Sequence, residues 1–193
     1  VAVDIIPQRP EPTEGVIESI NHADIILIGP GSLYTSLIPN LLVNGVKEAI
    51  LNSPADVVYI ANIMTQPGET DDYSLTEHLK AIEDHVGCNI FNKVIINDEP
   101  LDNRTRDKYK SEKSKQIKYK NKEKHFFIER NIEIISGRFI EVVKDYCRHD
   151  ADKIAERIAA VKPNKYNPIN VKPCKLKIPK IRLSGIISEI NIA

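Results

Sequence analysis

Residues 23–32, ADIILIGPGS, decide the fold. Only Asp24 interrupts an apolar run that ends at a Gly-Pro-Gly turn. A short continuous apolar run bounded by a turn reads as a strand buried on both faces, as in a parallel sheet. After the turn, Leu33, Leu37, Leu41 and Leu42 recur at helical spacing, and Pro39 is expected to break this stretch into two helical pieces. A further helix is expected over Val46–Asn52, stopped by Ser53-Pro54. Residues 56–63, DVVYIANI, are β-branched and aromatic enough for the next buried strand. Ser74-Leu75-Thr76-Glu77 forms a capping box for a helix from Leu75 to about Val86, with Leu79, Ile82 and Val86 as its apolar stripe and Gly87 as its stop. KVIIN, residues 93–97, supplies a third strand. This alternation predicts an α/β, Rossmann-like, mainly parallel sheet with helices on both faces.

The pattern changes after Pro100. Residues 104–124 hold ten Lys/Arg against three Asp/Glu and few apolar residues, so an exposed, solvated, partly helical surface segment is expected. Residues 131–135 and 139–143 read as strands near the sheet edge, joined by Ser136-Gly137. Asp150 should cap a helix over residues 151–161, with Ile154, Ile158 and Val161 on one face. Residues 1–162 are therefore assigned to the α/β domain and residues 163–193 to a basic, Pro-containing tail, extended or disordered.

Composition narrows the partners. With 27 Lys+Arg against 27 Asp+Glu in 193 residues, no global field draws the chain to nucleic acid or a membrane surface. The basic stretch has only Tyr109 and Tyr119 as aromatics, too few for a base-stacking platform. Cys88, Cys147 and Cys174 are far apart and form no CxxC pair; with no apolar run long enough to span a bilayer, a cytoplasmic protein is expected.

Three constellations carry candidate chemistry. Gly29, Gly31, Ser32, Tyr34, Thr35 and Ser36 follow a strand and open a helix, where glycines allow close backbone approach and free N–H groups attract phosphate. The alternative is a turn that needs glycine only for its geometry. Asn62, Thr65, Gln66, Glu69 and Thr70, with Asp71, lie in the loop after the second strand. Open α/β sheets bind ligands at such carboxyl ends, and these amides, hydroxyls and carboxylates can read a small molecule or, through Glu69 and Asp71, hold Mg²⁺ or an amine. The alternative is a solvated loop turning at Pro67-Gly68. Arg148 and His149, at an expected helix start, could clamp a phosphate, or simply precede an ordinary N-cap at Asp150. His22, His78, His85 and His125 read as surface or packing residues, and Cys88 as a structural thiol. No activated nucleophile or acid–base pair is evident, so no catalytic residue is assigned.

Taken together, GPGSLYTSLIPNLL (residues 29–42), NIMTQPGETD (62–71) and RHDADKIA (148–155) resemble the gluconeogenesis factor (YvcK-like) branch of the CofD-like family. The resemblance covers residues 1–161. It implies a Rossmann-like core that binds UDP-sugars such as UDP-N-acetylglucosamine, and a role in gluconeogenic growth and cell shape. It also implies that residues 29–36 cradle a nucleotide diphosphate while Asn62 and residues 65–70 approach the sugar or acceptor. Such proteins open with a GGGTG-type loop that does not occur in this sequence, so the N-terminal part of the domain is expected to be missing. The leading expectation is a non-catalytic nucleotide-sugar sensor working through a regulatory protein partner or a second copy of itself. The second is a CofD-like transferase that moves a phospholactate-type group from a nucleotide diphosphate donor to a deazaflavin with Mg²⁺.

Overall fold

The computed structural model describes residues 2–160; the expectations for Val161 and for the tail at 163–193 fall outside the described residues. Helix α1 (Val16–Asn21) leads into strand β1 (Ile25–Ile28). A π-helical turn, Leu33–Leu37, continues into α2 (Ile38–Leu41), and α3 (Val46–Asn52) precedes β2 (Asp56–Ile60). Next come α4 (Leu75–Val86), β3 (Lys93–Asn97), α5 (Asn103–Ser111), α6 (Lys124–Glu129) and β4 (Glu133–Gly137). Strands β5 (Ile140–Val143) and β6 (Tyr146–His149) and helix α7 (Ala151–Ala160) follow.

The main sheet has the order β1-β2-β3-β4, and every pair is parallel. All residues of β2 and β3 are buried, as expected of strands covered on both faces. On one face Val57, Tyr59, Val94 and Ile96 pack under Leu75, Leu79 and Ile82 of α4 and Ile38 and Leu41 of α2. On the other, Val58, Ile60, Ile95 and Ile135 meet Phe139 and Ile154, with Ile25 and Ile158 against them. The odd–even split follows from side chains pointing alternately to opposite faces of a strand. Helix α4 begins with the expected capping box between Ser74 and Glu77 and ends at Gly87, whose φ of 89° suits a residue without Cβ. Hydrogen bonds from Ser74 hold the Glu77 carboxyl below its ordinary pKa.

The stretch from Leu33 does divide into two helical pieces, the π-helical turn Leu33–Leu37 and α2, with Pro39 in the first turn of α2. Four expectations are corrected. Residues 133–137 do form the sheet-edge strand, but Ser136 and Gly137 belong to that strand instead of joining two strands. Strand β5 leaves the sheet and pairs antiparallel with β6 in a separate ribbon. Residues 148–149 accordingly end a strand, and only Asp150 serves the helix, accepting from Lys153 N.

The basic segment is mostly exposed and partly helical, as expected; that it is also ordered against the domain is the fourth correction. It forms α5, capped by Asp102, and then runs antiparallel beside the loop after β2. Thr65 N donates to Lys115 O at 2.8 Å and Ile117 N to Ile63 O at 2.8 Å, while Ser114, Ile117 and Glu123 are buried. The charge pattern did not show this order because the cations face outward while the backbone and a few buried residues supply the pairing.

Candidate functional site

The carboxyl ends of β1 and β2 lie side by side, with Ile28 paired to Tyr59, so the turn after β1 and the loop after β2 share one end of the sheet. That shared end is where open parallel sheets receive ligands. Two contacts lock the segments together. Asn62 spends both ends of its amide on one residue, accepting from Gly31 N at 3.3 Å and donating to Gly31 O at 2.8 Å. Glu69 accepts from Tyr34 N at 2.8 Å, and its two oxygens lie 2.6 and 2.5 Å from the Ser32 hydroxyl. Thr35 Oγ1 donates to Ser32 Oγ at 2.6 Å, completing the cluster.

The Glu69 carboxylate thus occupies the place that sequence reasoning reserved for a ligand phosphate, at the N–H groups opening the helical turn. Gly29 is the glycine this turn requires: its φ is +93°, and a Cβ there would come within 2.7 Å of Ile60 O. Gly31 has no positive φ, and its Cβ would meet side chains alone, Leu37 at 3.1 Å and Ser36 at 3.6 Å.

The expected site residues separate into two groups. Thr65 and Thr70 are buried and shape the loop: Thr65 Oγ1 accepts from Lys115 N, and Thr70 Oγ1 accepts from Gln66 N. Tyr34 is buried too, its hydroxyl 2.8 Å from that of Tyr73 and its ring edge-on to His85; burial and Tyr73 push its pKa well above the ordinary phenol value. Ser36 contributes its carbonyl to Asn40. Gly31, Ser32, Asn62, Gln66 and His149, by contrast, line a common cleft of about 380 Å³.

The cleft has a second wall that the sequence did not reveal. Tyr109 of α5 and Cys147 of β6 face it, joined by a 2.9 Å hydrogen bond from Cys147 N to the Tyr109 hydroxyl. Lys108 lies over the Tyr146 ring and Arg104 pairs with Asp145, tying α5 to the ribbon. Cys147 and His149 alternate with Arg148, so Arg148 stands exposed on the opposite face of the ribbon while His149 turns inward. His149 Nε2 donates to Ala61 O at 3.0 Å, and burial pushes its pKa below the ordinary imidazole value. Alternation in the segment YCRHD was the available signal for Cys147 and His149; nothing local marked Tyr109.

Among the described residues no three His, Cys, Asp or Glu side chains converge as a metal cluster. The two carboxylates considered for Mg²⁺ are spent on the backbone, Glu69 on Tyr34 N and Asp71 on Gly68 N, so they do not form a fitting site as they stand. No helix among the described residues is long and apolar enough to cross a membrane.

The comparisons with known proteins agree with this fold. Residues 1–140 match the family described as 2-phospho-L-lactate transferase CofD. The chain is 42% identical to a gluconeogenesis factor of Halalkalibacterium halodurans over 161 residues, 83% of this chain and 49% of that relative. It is 37% identical to the gluconeogenesis factor of Bacillus subtilis over 153 residues, 79% of this chain and 47% of the relative. A crystal structure of a Bacillus halodurans protein, described as a member of the UPF0052 family, matches with a TM-score of 0.72 at 42% identity, covering 77% of this chain and 47% of that one. The chain spans about half the length of the curated relatives it matches.

Proposed function

We propose that this chain, which belongs to the CofD family and resembles its gluconeogenesis factors, is the ligand-binding part of a nucleotide-sugar sensor with a gluconeogenesis-related role. The observation that carries the reading is the cleft at the carboxyl end of the parallel sheet. Its 380 Å³ suits one part of a nucleotide sugar, and it is walled by hydrogen-bonding groups with no nucleophile–base pair among them. Binding without chemistry fits such a wall. UDP-N-acetylglucosamine is the ligand we propose. Regulation of cell shape through a protein partner or a second copy extends the same reading.

The family description favours one other reading, a transferase that uses the same cleft for a deazaflavin acceptor. Calorimetric titration of the protein with UDP-N-acetylglucosamine, beside an assay for transfer from a guanosine diphosphate donor, tests both. Saturable UDP-sugar binding without turnover supports the sensor. Turnover with no UDP-sugar affinity replaces it by the transferase.

A further inference from the structure

Residues 1–103 carry only four cationic side chains, Arg9, Lys47, Lys80 and Lys93, against sixteen Asp/Glu. Two of the four have partners elsewhere: Lys93 is buried against Asp56, and Lys80 lies over the Phe126 ring. The other two, Arg9 and Lys47, line one pocket of about 320 Å³ between the segment before α1, the α2–α3 connection and the last turn of α4. This pocket shares no lining residue with the cleft. Leu41 and Val86 are buried at it, and Leu42 and Val43 half-buried, so part of its wall is apolar. Both cations are short of countercharge. Arg9 makes no ion pair or hydrogen bond among the described residues. The Lys47 side chain is only 20% exposed, yet its partner is the adjacent Glu48 at 3.3 Å, whose own side chain is 60% exposed. Water screens a pair that is open on one side, while a covered ammonium has given up hydration that such a pair does not restore. The segment that bears Arg9 is held in place, because Asn44 N donates to Pro10 O at 3.0 Å and Asn44 Nδ2 to Glu11 Oε1 at 2.9 Å.

We infer that this second pocket binds a small organic acid, a single carboxylate on a short apolar body, with Arg9 and Lys47 taking the carboxylate and Leu42 and Val43 the body. The charges at the pocket set the valence. Arg9 and Lys47 against Glu48 leave one positive charge, which a monoanion matches. A di- or triphosphate would bring more negative charge than these groups can balance, into a half of the chain that is already acidic and beside the carbonyl end of the α4 dipole. A neutral molecule would leave Lys47 as poorly compensated as it is now. A planar carboxylate, by contrast, suits the guanidinium fork of Arg9, and Lys47 adds a compact charge to it. The volume lies at the small end for ligand sites, which favours a body of a few carbons over a nucleotide. The inference goes beyond the sensor reading and does not need it, since a protein indifferent to UDP-sugars would keep this pocket.

The test titrates the intact chain with isovalerate, its uncharged isostere isovaleramide, acetate and inorganic phosphate, and follows backbone amide NMR shifts at millimolar concentrations. Isovalerate should move the Asn44, Gly45 and Val86 amides saturably. Acetate, which lacks the body, should bind more weakly, and isovaleramide and phosphate should leave those amides in place. Arg9→Gln and Lys47→Met should each weaken isovalerate binding about tenfold, the lower end for a hydrogen bond to a charged group. Glu48→Gln removes the competing carboxylate and should tighten binding, an effect that a merely structural role for these residues would not produce. Thermal midpoints check that each variant folds, and the exposed Arg9 keeps the test open if Lys47→Met does not. Silence from isovalerate, an equal response to isovaleramide or phosphate, acetate as tight as isovalerate, or unchanged affinity in both cation variants would overturn the inference. So would weaker binding in Glu48→Gln at an unchanged midpoint, which would make that carboxylate a ligand contact.

Discussion

Replacing Glu69 by alanine separates two roles for the same carboxylate. In the structure it is a latch: it accepts from Tyr34 N at 2.8 Å and from the Ser32 hydroxyl, joining the turn after β1 to the loop after β2 across 35 residues of sequence. A hydrogen bond to a charged group contributes about 1.5–3 kcal/mol, and a buried donor left without a partner adds its own cost. Glu69 is half-buried and Ser32 can turn its hydroxyl to water, so the lower part of that range applies to each contact. Glu69→Ala should therefore cost about 2–3 kcal/mol, which for a chain of this size lowers the melting temperature by roughly 4–12 °C. Glu69→Gln keeps an acceptor for Tyr34 N and should lose about half as much. Urea titrations give the stability and UDP-N-acetylglucosamine calorimetry gives the affinity in the same samples. A Glu69→Ala protein as stable as the unsubstituted chain but with no ligand affinity would refute the latch and make Glu69 a direct ligand contact.

Three further outcomes follow from the same coordinates. Gly29→Ala should destabilise by about 2 kcal/mol or more, since the turn holds φ at +93° and the added Cβ meets Ile60 O at 2.7 Å; Gly31→Ala, which meets only the Leu37 and Ser36 side chains, should cost far less in the same urea titration. Lys93→Met leaves Asp56 without its 2.7 Å partner in a site where both side chains are 3% exposed, a loss of about 3–5 kcal/mol in denaturant midpoints, and adding Asp56→Leu should restore most of it. His78 and His149 are held neutral by burial, with folded pKa values below the unfolded value of about 6.5. The unfolded chain therefore takes up protons first, and stability should be full above that value and fall as pH drops through it toward the folded pKa values; His78→Leu should flatten the slope.

The parallel core was legible because its signals are local. ADIILI, DVVYI and KVIIN each carry their own burial signature, and Ser74, Glu77 and Gly87 fix the ends of α4 within one helix length. What escaped reading depends on partners far apart in sequence. Segment 104–124 looked solvated by its charge, yet its order comes from backbone pairing of Lys115 and Ile117 with Thr65 and Ile63, which no side-chain pattern encodes. Ser136-Gly137 looked like a turn by composition, but β4 is an edge strand that pairs on one side only, and Gly137 is required by the Phe139 ring, which an added Cβ would meet at 2.6 Å.

The site shows the same division. Gly31, Ser32, Asn62, Gln66 and His149 were named from three separate segments, and the structure brings those segments around one cleft. Their chemistry changed on arrival: Asn62 and Glu69, chosen as groups to greet a ligand, are consumed in holding the two loops together. Tyr109, absent from every motif, stands in the wall because α5 packs against the ribbon. A polar residue at the carboxyl end of a strand can hold the site's shape or meet its ligand, and sequence assigns the place without assigning the role. The hydrogen-bond ledger decides between them. By that ledger the Tyr109 hydroxyl keeps a proton to donate at the cleft, while Thr65, Thr70 and Asn62 are engaged in holding the loops, so substitution of Tyr109 should change affinity and substitutions in the second group should change stability first.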